Sequence, residues 1–193
     1  AEPFAEAAIR RLQALVAESD GQVRLRRGEQ AKDRYGRVLA NVYGRNGANL
    51  EAQLLSEGLG YLVAVSPNVA LVDCQQAAER TARNARLGLW RDSPVQPAAQ
   101  IDKGGFALVV GKIASVQLNG GGIWIELQDG PVLRIAPELV SLFDASALLS
   151  MKGQRIEARG WVVDRSRRGG LKDGQTRWMM PITHPAMLDT STR

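Results

Sequence analysis

The 193-residue chain carries a single cysteine and a single histidine. A lone Cys74 excludes an intramolecular disulfide, and its place in an apolar helical run predicts a small buried side chain. His184, directly before Pro185 at the end of a strand-like run, reads as structural. No Ser/His/Asp or Cys/His set and no Cys-x-x-Cys pair of zinc spacing occurs. Gly120-Gly121-Gly122 reads as a turn after a strand and not as a phosphate loop. No apolar run approaches the roughly 18–20 residues that cross a bilayer, so no membrane span is expected. No basic stretch followed by an apolar core opens the chain, so no signal peptide is visible. The carboxylates Glu29, Asp33, Glu51 and Glu57 are scattered, without an Asp-x-Asp pair, and read as solvated charges.

What is present is a globular composition, 45% hydrophobic and 23% charged, enough for one large domain or two small ones. The formal charge of +5 favours a polyanionic partner, because binding releases counterions from phosphates. Residues 3–17 show the three- and four-residue spacing of an amphipathic helix, with Phe4, Ala8, Leu12, Leu15 and Val16 inward. Gln22 to Arg27 alternates as a strand, and Gly28 to Lys32 reads as a polar turn into a second strand. Asn49 is a suitable cap for a helix over Leu50–Glu57, which Gly58 stops. A longer helix is expected over Ala70–Arg86, with Leu71, Cys74, Ala77 or Ala78, Thr81 and Ala85 inward. Residues 93–104, rich in Pro and Ala, read as a linker. Five strands follow, with one helix over Pro137 to Leu149 between the third and fourth, which is the element order of an OB barrel.

The most informative stretch is Asp33-Arg34-Tyr35-Gly36-Arg37-Val38-Leu39-Ala40-Asn41-Val42-Tyr43. A charged turn runs through a glycine into an alternating strand. Arg37 sits where loop becomes strand, and its planar fork matches a phosphate bidentately. An ordinary basic hairpin with a surface ion pair accounts for the same residues. The run resembles a signature of the staphylococcal-nuclease-like (thermonuclease) family. Leu54-Leu55-Ser56-Glu57-Gly58-Leu59-Gly60, Ala78-Glu79 with Ala82-Arg83, and Gly88-Leu89-Trp90 resemble further family motifs in order, covering residues 1–92.

The resemblance implies an α+β, β-rich fold with a partial staphylococcal-nuclease-like OB barrel in residues 1–92. It also implies phosphodiester hydrolysis of DNA or RNA, with Arg37 as the catalytic phosphate clamp. Family enzymes use calcium held by Asp-Gly-Asp-Thr and Asp-x-Pro-Glu runs, and no residues here match those runs; Ala1–Val16 resembles the helix that follows them. No cofactor is therefore expected to be held by this chain, which resembles a fragment or a degenerate relative that is inactive alone. A non-catalytic nucleic-acid- or protein-binding module is the alternative. An open barrel is expected to be covered by a second copy, a preceding segment or the second domain. The family resemblance favours a secreted or periplasmic location. Val63 and Val65 stand where the staphylococcal enzyme has tyrosines lining its nucleotide pocket.

Residues 105–187 are expected to form a second, OB-like five-stranded barrel, with a tail over 188–193. Gly153 to Val162 resembles a strand common in OB domains. Thr183-His184-Pro185 resembles the close of a domain found in some bacterial thermonuclease-family proteins. Nucleic-acid-binding candidates are Arg34 and Tyr35 beside Arg37, then Arg24 and Arg26 on the preceding strand. Arg167, Arg168, Lys172 and Trp178 are the candidates in the second domain. Trp124 and Trp161, set in apolar strands, are expected in the core.

Overall fold

The computed structural model describes residues 4–167, 170–171 and 173–191. The chain divides into two compact units, Ala1–Pro94 and Val95–Arg193. Together they make an α+β protein.

The first unit opens with α1 (Ala5–Glu18), of which only Leu15 is fully buried. Phe4 and Leu12 are exposed, so the expected inward stripe is only partly inward. An antiparallel hairpin follows, β1 (Arg24–Lys32) with β2 (Val38–Tyr43), in register from Arg24↔Tyr43 to Lys32↔Val38. The strand thus runs through Gly28 to Lys32, the stretch expected as a turn, and absorbs the extra residues in a bulge between Arg27 and Lys32. The Asn68 side chain supports that bulge. Its Oδ1 accepts from Gln30 N–H at 2.9 Å and its Nδ2 donates to Gln30 O at 2.9 Å, as a neighbouring strand would.

Asn49 caps α2 (Leu50–Ser56), its Oδ1 accepting from Ala52 N–H at 2.7 Å. Helix α3 (Val72–Asn84) buries Val72, Gln75, Glu79 and Ala82. Its inward stripe is one residue out of phase with the expected one, and Cys74 is exposed. The reason is Glu79, whose Oε1 accepts the Leu62 N–H at 2.7 Å inside the core. Satisfying a buried main-chain donor outweighs the small apolar area of Cys74. Glu57 is likewise no free surface charge, since Arg11 of α1 donates through Nε to both its oxygens, at 3.0 and 2.8 Å.

Two of the sequence motifs meet at a backbone contact. Leu89 N–H donates to Gly58 O at 2.9 Å. A Cβ on Gly58 would lie 2.3 Å from Leu87 O, and one on Gly88 would lie 2.2 Å from Gly58 O. Both glycines also have positive φ, +73° and +51°, so they satisfy two constraints at once. The short turn they make delivers Trp90 into the core, where its ring meets Tyr61 edge-on at 5.4 Å.

The second unit is a closed five-stranded barrel. Strand β4 (Gly105–Asn119) pairs along its first half with β7 (Arg155–Asp164) and along its second with β5 (Gly122–Leu127). Strand β6 (Val132–Ile135) lies between β5 and β8 (Trp178–Pro181), antiparallel to the first and parallel to the second, and β8 returns to β7. This ring of pairings is that of an OB barrel. Ile123, Ile125, Leu133, Ile135, Ile156 and Met180 are fully buried within this unit.

Residues 93–104 are not a free linker. Strand β3 (Val95–Pro97) pairs in parallel with β4, Val95 opposite Leu108, and Ala98 is buried. Added Cβ atoms at Gly111 and Gly130 would come within 2.9 and 2.8 Å of the Ala98 methyl; small residues here permit close packing. A short β9 (Leu188–Asp189) pairs with β7 where a tail was expected. The helix expected over Pro137 to Leu149 is broken, a 3₁₀ turn over Pro137–Leu142 followed by α4 (Ala145–Leu149) capped by Asp144. His184 closes a local turn, its Nδ1 accepting from Ala186 N–H at 3.1 Å.

Gly58→Ala and Gly88→Ala are each expected to destabilise the first unit by at least about 2 kcal/mol, because strain and a backbone clash coincide. Hydrogen exchange at the Leu89 amide reads this directly. Protection equal to that of the parent chain would show that the contact is not limiting.

Candidate nucleic-acid interface

The turn between β1 and β2 is built around one carboxylate. Asp33 Oδ1 accepts from the backbone N–H of Tyr35 and of Arg37, both at 2.9 Å. Asp33 Oδ2 accepts from Arg37 Nε at 2.6 Å. Main-chain bonds from Asp33 N to Arg37 O and from Gly36 N to Asp33 O close the loop. Gly36 takes the left-handed conformation that the turn requires, φ +82°. Burial pushes the Asp33 carboxyl up. The Arg37 side-chain bond, the two backbone N–H groups and the Arg37 charge outweigh it and hold the carboxyl below its usual range. The Asp33 side chain is only 17% exposed, while that of Arg37 is 75% exposed. Asp33 is therefore a tether and not a solvated charge, and the exposed guanidinium is anchored through Nε.

Tyr35 stands beside it, 68% exposed. The Arg34 and Arg37 guanidinium carbons lie 4.8 and 5.4 Å from its ring centre, both within cation–π range. The turn thus gathers three of the expected residues, Arg34, Tyr35 and Arg37. Arg24 and Arg26 are exposed on β1 but lie toward its far end, opposite Tyr43 and Asn41. At about 3.3 Å per residue, Arg24 is roughly 17 Å along the hairpin from the turn, so it can extend a positive surface but cannot share the Arg37 site.

A metal-assisted reaction at this turn would need a cage of oxygen donors. Among the described residues no three His, Cys, Asp or Glu side chains gather. Both Asp33 oxygens already serve the hairpin. The residues at the turn do not fit a calcium site.

In the second unit, Trp178 and Arg167 line a cleft of about 650 Å³ with Lys103, Asp164 and Arg177. Asp164 accepts from Arg177 through Nε at 3.2 Å and Nη2 at 2.8 Å, and from the Ser166 hydroxyl and N–H. Those bonds, the Arg177 one foremost, hold its carboxyl far below the usual range. The Arg177 guanidinium lies 4.7 Å from the Trp178 ring centre. Arg167 remains exposed, 3.8 Å from the same Asp164 oxygen. Arg168 and Lys172 lie outside the described residues.

Two tryptophans expected in the core are not there. Trp161 is 52% exposed, edge-on to Phe106 at 5.0 Å. Trp124 is half-buried on the outer face of β5. Strict alternation between Ile123 and Ile125 was the signal that could have placed it outside.

Residues 1–92 match the family model described as staphylococcal nuclease homologue. The first unit is a staphylococcal-nuclease-like domain; of the partial barrel expected there, the described residues form the two-stranded hairpin β1–β2. Comparison with curated proteins finds no match. No helix among the described residues is long and apolar enough to cross a membrane.

The Asp33–Arg37 tether is expected to be complete above about pH 4, the ordinary aspartate range. It is lost as the pH falls from there through the lowered folded value, because protonation removes the acceptor. An NMR titration following the Arg37 Nε–H resonance checks this; a midpoint at or above pH 4 would refute it.

Proposed function

We propose that this chain binds DNA or RNA through the Arg34–Tyr35–Arg37 turn, as a nuclease-type domain that does not cut with its own residues. The observation that carries the reading is the division of labour at the turn. Arg37 is anchored by one nitrogen and otherwise exposed, while the carboxylate that holds it, the only one to do so among the described residues, is engaged by three hydrogen bonds. A guanidinium so held suits a phosphate, while a single carboxylate already engaged by the turn does not make the oxygen cage that a cation and its activated water require. The net charge of +5 supports a polyanionic ligand. In the second unit, Arg167 and Trp178 in their cleft supply a cation and an aromatic surface of the kind that meets a strand. In this reading phosphodiester hydrolysis, with Arg37 as clamp and calcium as cofactor, requires carboxylates beyond those of the turn.

A fluorescently labelled single strand, with and without calcium, tests this. Anisotropy is expected to rise on binding while the strand stays intact. Arg37→Ala is expected to weaken binding and to reduce the salt slope by about 0.7, the value of one phosphate contact. Calcium-dependent cleavage abolished by Arg37→Ala would overturn the binding-only reading in favour of the enzyme.

A further inference from the structure

On the outer face of the barrel, three neighbouring strands present one side chain each in the same row. Gln117 of β4 is opposite Trp124 of β5, which is opposite Arg134 of β6. The ring is positioned from below. Asn119 Oδ1 accepts the indole Nε1–H at 3.2 Å and the Gly121 N–H at 2.8 Å. Arg134 Nε donates to Gly121 O at 3.2 Å, so the β4–β5 turn locks both the indole and its cationic neighbour. The Arg134 guanidinium carbon is 5.1 Å from the Trp124 ring centre. From above, the β7–β8 connection brings Arg165 to 5.6 Å from the same ring, steadied by a 3.4 Å bond to Thr176 O. Glu126, the one carboxylate among the described residues that line the groove, accepts from the Ser115 hydroxyl at 2.7 Å.

The groove has a volume of about 260 Å³. Pockets that enclose a whole small ligand run to about 300–1,000 Å³, so this one suits a single unit of a polymer that continues past it. The wall offers the Trp124 ring, the Arg165 guanidinium and side-chain amides, and Arg134 adds a second cation beside the ring. That combination matches a flat base with a phosphate on either side, since an aromatic face stacks any base and a guanidinium fork meets phosphate oxygens. An uncharged ligand would gain nothing from the two cations.

We propose that this groove is a single-stranded nucleic-acid site, with one base stacked on Trp124 and the flanking phosphates held by Arg134 and Arg165. Among the described residues the Arg165 guanidinium has one hydrogen bond, the 3.4 Å contact to Thr176 O, so in this proposal it is the cation that leaves the indole for a phosphate when the base arrives; the stack it yields to is the stronger contact. Arg134 stays with the turn. The site shares its ligand class with the reading above but does not depend on Arg37.

The test uses the full chain and labelled oligothymidylate and oligouridylate strands, with binding read by anisotropy. Trp124→Ala is expected to weaken binding about 5- to 150-fold, the range for loss of one stacked base, and Trp124→Phe to restore part of it. Arg165→Glu, at a half-buried position in the 3₁₀ turn after β7 and outside the barrel core, is expected to weaken binding and lower the salt slope. In an Arg37→Ala background both effects should persist. If Trp124→Ala and Arg165→Glu each leave the dissociation constant within twofold, the proposed site is overturned, while loss on Arg37→Ala would still uphold the turn. Equal loss for a sulfated polysaccharide on Arg165→Glu, with no effect of Trp124→Ala on either ligand, would make the groove a charge patch and also overturn it. Loss on Trp124→Ala with no effect of Arg37→Ala would uphold the groove and remove the turn.

Discussion

The Asp33 carboxylate accepts three hydrogen bonds from its own turn, and the character of the first unit's surface follows from that fact. The carboxylate fixes the path of the chain between β1 and β2, sets the direction in which Arg37 leaves the sheet, and neutralises only one edge of the guanidinium. Removing it would free the arginine and also leave two backbone N–H groups to find other acceptors. Orientation and charge balance at the turn are one problem with one solution.

The second unit arrives at a similar arrangement with different elements. Asp164, only 7% exposed, accepts the N–H of a nearby residue, Ser166, and holds Arg177, whose guanidinium lies over Trp178. In both units a nearly buried aspartate spends its charge on an arginine that covers an aromatic ring. A cation held this way is fixed in place while its outer edge stays wet, which a solvent-mobile lysine would not achieve.

Much of this was legible in the residues. The strand after Gly36 shows in its alternation, the cap at Asn49 in its identity, and the Gly58 and Gly88–Trp90 motifs in their spacing, although not the contact between them. What escaped the sequence was decided by polar atoms and by small residues. The face of α3 was misread because its inward stripe includes Gln75 and Glu79, and apolar periodicity cannot see a buried glutamate that answers a main-chain N–H. The segment around Ala98 has the composition of a linker, yet its small side chains are what let it pack against Gly111 and Gly130. Trp124 was placed inside because tryptophan in an isoleucine-rich strand looks like core. A rule of two, applied to Ile123 and Ile125, puts it outside. The role of Asp33 could not be read from spacing, since the same residues fit any acidic turn.

The exposure of Cys74 on α3 has a practical side. As the sole thiol of the chain and open to solvent, it gives a maleimide dye one attachment point, and in air it gives two molecules a way to become covalently joined. A molecular mass determined without reductant would then mix chemistry with association, so any account of how many copies assemble has to begin from a reduced or alkylated sample.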